Sequence, residues 1–292
     1  MEELFTILHP SYVLRNALYG GIVTGLVLPL IGVFMYCRRM VFLGVTLPQL
    51  STGGIAAAVF WHLTTHQQQP NHSDFLLALL GSTIVTTGTL LLLAALERRG
   101  HEMVESRIGT VYVFAGAATI LLLASERVPE VGIVTLLRGQ IIAISDMDMA
   151  ILLVAYTVIV LLITLFRREL LLVSVDRDLA LSLGKKLWVW DILLYGLVGL
   201  AISLGVLMVG PLLTFAFLLL PTMMAMQLAK RFYLVPLLGG MLGAGIALIG
   251  FIVSFFMDWP TGATDSLLAC ILLGVITLGQ WLRRLVFQPI SR

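Results

Sequence analysis

Long apolar runs, separated by short segments that hold most of the charge, repeat along this chain. A bilayer core takes roughly 20 apolar residues at about 1.5 Å rise each. Nine stretches meet that length: 14–37, 45–63, 75–96, 107–125, 149–166, 191–210, 212–229, 234–256 and 266–284. The seventh is short and joins the sixth through Gly210-Pro211, which leaves eight as the alternative count. Between the fourth and fifth, residues 130–144 read as an amphipathic stretch that dips into the membrane without crossing it. Lipid offers no partner to free backbone groups, so the pattern predicts an all-α, polytopic transmembrane helical bundle.

Composition supports the same solvent. The chain is 59% apolar and 12% charged, with a mean hydropathy of +1.03, whereas a soluble domain carries about 25% charged residues. A net charge of +2 is too small to point to nucleic acid. Cys37 and Cys270 lie far apart and form no CxxC, which removes redox and thiolate-metal motifs. Glu2 and Glu3 stand where a cleavable signal peptide would carry basic residues. If Arg38 and Arg39 are cytoplasmic, alternation puts every Lys and Arg except Arg15, Arg127 and Arg138 on that side. The positive-inside rule therefore predicts an outer N-terminus and an inner C-terminus, with 167–190 as the longest cytoplasmic loop.

Polar and helix-breaking residues mark where chemistry would sit. The second span opens with Thr46, Pro48, Gln49, Ser51 and Thr52, followed by Gly53-Gly54. Polar groups in lipid need a partner or a watery path. The stretch therefore reads either as a broken helix lining a translocation pathway or as a packing helix whose hydroxyls bond to its own carbonyls. Gly210, Pro211 and Pro221 mark a second interrupted helix, with Pro211 at a helix start and Pro221 expected to kink the interior. Gly239 with Gly243, and Gly20-Gly21 with Gly25, have the spacing of close helix packing.

Of the histidines, His62 and His66 have helix-compatible spacing for a shared external metal, but only Asp74 stands nearby to join them. No nucleophile–base pair of an enzyme is evident, and no GxxxxGK[ST] occurs. The chain is expected not to be an enzyme and to hold no cofactor of its own.

Four ordered segments resemble the membrane permeases of the zinc/manganese/iron ABC uptake family. They are Cys37-Arg38-Arg39-Met40-Val41-Phe42-Leu43-Gly44; Arg138-Gly139-Gln140-Ile141 with Ser145-Asp146; Val209-Gly210-Pro211-Leu212-Leu213 with Leu220-Pro221; and Asp258-Trp259-Pro260-Thr261-Gly262-Ala263. In the cytoplasmic loop, Asp178-Leu179-Ala180-Leu181-Ser182-Leu183-Gly184 resembles the coupling sequence of ABC importer permeases. That resemblance implies a single transmembrane permease domain over 1–292, with Asp178, Ala180 and Gly184 in the element that meets the ATPase. It further implies ATP and Mg on a separate ATP-binding subunit, an extracytoplasmic solute-binding protein, a homodimer, and the bacterial plasma membrane. The implied function is uptake of a divalent metal ion or a metal chelate.

One departure bears on the cargo. Metal-carrying members of the family have an aspartate after the Arg-Arg-Met segment and a histidine four residues on. Here the matching positions are Val45 and Gln49, and valine offers no ligand. Val45, Thr46, Gln49, Ser51 and Thr52 are expected to line the pathway, and a first-row metal site does not carry over. A permease for a non-metal solute, a stand-alone ion-coupled carrier, and an ABC-type module that no longer transports are the competing readings. The carrier would need ionisable groups deep in the spans.

Overall fold

The computed structural model describes residues 15–66, 73–97, 104–124 and 145–287. Its helices in chain order are α1 (Arg15–Cys37), α2 (Val41–His66), α3 (Ser73–Glu97), α4 (Val104–Leu123), α5 (Asp146–Leu165), α6 (Arg167–Val175), α7 (Arg177–Ser182), α8 (Leu187–Val209), α9 (Pro211–Leu228), α10 (Val235–Met257) and α11 (Thr261–Phe287). Among the described residues, nine of these are long and apolar enough to cross a membrane, and no strand interrupts them. The short seventh span is a helix in its own right: Gly210 adopts φ 83°, ψ 166°, a conformation open only to glycine, and Pro211 starts α9. The 130–144 stretch lies outside the described residues.

Helix ends explain where the spans differ from the apolar runs. α1 stops at a Schellman turn, in which Met40 N–H donates to Met35 O and Arg39 N–H to Tyr36 O. Arg39 takes the left-handed position at φ 57°, and the chain enters α2 directly at Val41. α5 begins at a capping box formed by Ser145 and Asp148. Asp146 and Asp148 both lie in the first turn, where negative charge suits a helix start. Pro48 and Pro221 break neither helix. α2 and α9 run through them, with Thr52 Oγ1 donating to Pro48 O at 2.9 Å and Thr222 Oγ1 to Leu218 O at 2.9 Å. Each proline removes only the one intrahelical bond to the carbonyl four residues back, at Gly44 and Phe217, a loss that membrane helices packed on neighbours tolerate.

α8 is the central helix, with 78% of its most apolar window buried, against 17% for α11 at the rim. α1 packs on α10, α9 and α8; α2 packs on α3, α4 and α9; α3 also lies along α8. Lipid gives helices no hydrophobic drive to associate, so small residues and buried hydroxyls carry much of this packing. Gly25 faces Gly243: a Cβ on Gly25 would lie 2.6 Å from Gly243 O. Ser51, Ser82 and Ser203 join α2, α3 and α8 through Oγ–Oγ distances of 2.6 and 2.7 Å, all three fully buried. Ser82→Ala removes the shared centre of that chain and strands both neighbours. It is expected to lower stability by about 1–2 kcal/mol, measured as a shift in the denaturation midpoint in mild detergent.

Candidate functional site

The polar opening of α2 divides by burial. Thr46, Ser51 and Thr52 point into the bundle and are buried. Thr46 Oγ1 donates to Phe42 O at 3.2 Å, Thr52 bonds to Pro48 O, and Ser51 sits in the serine chain. Their hydroxyls are satisfied within the protein, as in the packing alternative. Val45 and Gln49, with Phe42 and Ala57, are the less covered positions of α2; Ser51 lies on the side opposite them, whereas Thr52 follows Val45 two turns on and is buried at that level. Val45 is 39% and Phe42 64% exposed, although most of α2 is buried. Gln49 is half-buried beside α4, where Gly116 leaves room: a Cβ there would lie 3.5 Å from Gln49 Nε2. Among the five residues expected to line a pathway, the open face therefore holds Val45 and Gln49.

His62 is half-buried near the far end of α2, and the His66 side chain lies outside the described residues. Among the described residues, no cluster of three or more His, Cys, Asp or Glu side chains is placed to hold a metal ion.

At the other end of the molecule, α6 and α7 form an elbow between α5 and α8. Leu170, Val173 and Ser174 seat α6 against the bundle. Asp176 caps α7, accepting from Leu179 N–H at 2.9 Å. The helix ends in a second Schellman turn, with Lys185 N–H donating to Ala180 O and Gly184 N–H to Leu181 O. Gly184 stands at φ 71°, where a side chain would be strained. Ala180 is fully buried, whereas Asp178, Leu179, Leu181 and Leu183 project outward. Asp178, Ala180 and Gly184 thus lie together in one capped element, whose exposed leucines form an apolar patch next to charged residues.

Behind α7 lies a charge cluster that sequence reasoning passed over. Arg38, at the end of α1, and Asp191, in α8, have side chains only 5% and 3% exposed and form an ion pair at 2.9 Å. Arg177, the first residue of α7, donates to the other Asp191 oxygen at 2.7 Å. Arg38 also donates to Tyr195 OH at 2.9 Å and to Ser174 Oγ at 3.2 Å, and it lies 5.1 Å from the Tyr195 ring centroid. A lone aspartate three residues before a run such as Leu194–Gly205 was the available signal, since a charge at a span must find a counterion. Asp265 carried the same signal. It is buried in α11 against Gly250, and its Oδ1 has no hydrogen-bond partner among the described residues.

The fold is similar to that of solved ABC transporter chains. "PsaBC from Streptococcus pneumoniae in complex with Fab" superposes with a TM-score of 0.80 at 23% identity, over 94% of each chain. A protein described as a metal-chelate type ABC transporter, in an inward-facing conformation, gives 0.70 at 20% identity, covering 91% of this chain and 85% of that one. In sequence, the chain is similar to the manganese import system permease protein ScaB of Streptococcus gordonii, at 26% identity over 93% of both chains. It is also 25% identical to the zinc transport system membrane protein TroC of Treponema pallidum, covering 92% of this chain and 88% of TroC. A family model described as the ABC 3 transport family matches residues 11–279, and with it the chain belongs to that family of ABC transporter membrane proteins.

Proposed function

We propose that the chain is the membrane-embedded permease of an ABC importer for a divalent first-row metal ion or its chelate, in the bacterial plasma membrane. The observation that carries this reading is the capped, leucine-bearing α7, which projects from the bundle where an ATP-binding subunit can seat it. ATP and Mg then belong to that partner, and this chain performs no hydrolysis itself. An extracytoplasmic solute-binding protein delivers the cargo. Two copies of the chain, each with an outer N-terminus and an inner C-terminus, face each other across the open stripe of α2. The named relatives, which carry manganese and zinc, support the cargo class.

The deciding experiment is the ATPase rate of the complex in lipid, with its binding protein empty or loaded with zinc, manganese or iron. Stimulation by one loaded form is expected. A complex that hydrolyses ATP but responds to none of the three would overturn the metal assignment.

Val45 and Gln49 are one turn apart on the same face, with Cβ atoms about 5–6 Å apart in a helix. Installing the missing ligands as the pair Val45→Asp and Gln49→His is expected to tighten manganese or zinc binding by the purified permease about 10-fold or more. Equilibrium dialysis against the metal reads this directly. Unchanged affinity would show that the open stripe is no ligand platform.

A further inference from the structure

We propose that Arg38, Asp191 and Arg177 form a relay carrying displacement of the coupling helix α7 to the turn from which α2 starts, and so to the Val45–Gln49 stripe. This inference rests on the permease reading. Its geometry is specific. Asp191 uses one carboxylate oxygen for Arg38 and the other for Arg177, at 2.9 and 2.7 Å. Arg177 opens α7, so it moves with that helix. Arg38 directly follows the last residue of α1 and precedes the left-handed Arg39, and α2 begins three residues after Arg38, at Val41. Val45 lies about one helical turn into α2.

A greased contact between α7 and the bundle would slide when α7 is pushed. Charge-assisted bonds to both oxygens of one carboxylate are directional and hold their register. Ser174 at the end of α6 and Tyr195 on α8 hold the Arg38 guanidinium from two further sides. Displacement at Arg177 is therefore transmitted rather than absorbed locally. Apolar residues of similar volume serve stability as well as a buried ion pair does, so stability alone gives no reason for charges here. Arg177 is a positioning residue: at 35% side-chain exposure it can be changed while the buried Arg38–Asp191 pair stays intact.

The test uses the assembled permease–ATPase complex in nanodiscs. The free cysteines Cys37 and Cys270 are replaced by serine, and Val45→Cys supplies a single reporter. Its labelling rate by a polar maleimide is measured with and without nucleotide trapped by vanadate. In the parent complex, trapping is expected to change that rate several-fold. In Arg177→Gln the response should vanish while vanadate-trapped nucleotide is still recovered, and Arg177→Lys should restore part of it. Asp191→Asn, where it folds, should behave as Arg177→Gln.

A reporter that still follows nucleotide in Arg177→Gln would overturn the relay and leave the permease reading standing. So would an Arg177→Gln chain that no longer binds its ATPase, since Arg177 would then act in docking. A parent chain that binds no ATP-hydrolysing subunit would instead sink the permease reading and the relay together.

Discussion

Gly243→Val is expected to leave little or no folded permease in the membrane. A Cβ at this position would overlap the Gly25 carbonyl oxygen and lie 2.9 Å from the Gly25 carbonyl carbon. Both are backbone atoms, so no side-chain rotation relieves the clash, and α1 and α10 must separate. Separation also undoes the adjoining contacts, in which Gly240 lies against Leu26 O and Gly239 against Pro29. Overpacking in a core costs about 1–3 kcal/mol where side chains can yield. Here backbone meets backbone along a whole seam, so a loss at or above the top of that range is expected. Gly245→Val is the control, because a Cβ there meets nothing within 4 Å. Monodisperse protein recovered by size-exclusion chromatography from equal amounts of membrane measures both. Equal yields of the two variants would show that the Gly25–Gly243 contact does not hold the bundle together.

Asp191→Asn is expected to be the most damaging single change of a charged residue. It keeps the shape of the side chain but leaves Arg38 buried without a counterion and Arg177 facing it. Removing one partner of a buried pair costs about 3–5 kcal/mol, because the remaining charge keeps its desolvation penalty. The double change Arg38→Met with Asp191→Leu removes both charges and should recover most of that loss. Tyr195 OH and Ser174 Oγ would then lack their Arg38 partner, so recovery should fall short of complete. Denaturation midpoints of the parent, Arg38→Met, Asp191→Leu and the double variant form a cycle whose coupling energy tests this. Additive effects would mean the two side chains do not act as a pair.

The same cluster shows how far the sequence could be read. Arg38 stands out in sequence as a basic residue after the first span, and Asp191 as an acid at the edge of the sixth. Nothing in their order says that residues 153 positions apart meet, because the pairing is made by the packing of α8 on α1. The end of α7 was legible for a local reason: a glycine with a left-handed φ closes a helix wherever it falls, and Gly184 does so. The glycine seam was half legible. Spacing marked Gly25 and Gly243 as contact residues, but not as each other's contact.

Sequence alone determined the class of solvent, the apolar spans to within one, the helix-ending glycines and the set of residues that carry polarity within lipid. Each of these follows from local composition and backbone chemistry. Only the tertiary structure decided which way those residues turn. α2 is apolar on nearly every side apart from its small polar groups, so no amphipathic stripe in its sequence orients it. Its azimuth is set by what it packs against: α3 and α8 claim Ser51 through the serine chain, and α4 takes the Gly53 edge. Val45 is left open, and Gln49 half-buried beside α4, which covers the same face one turn further on at Gly53.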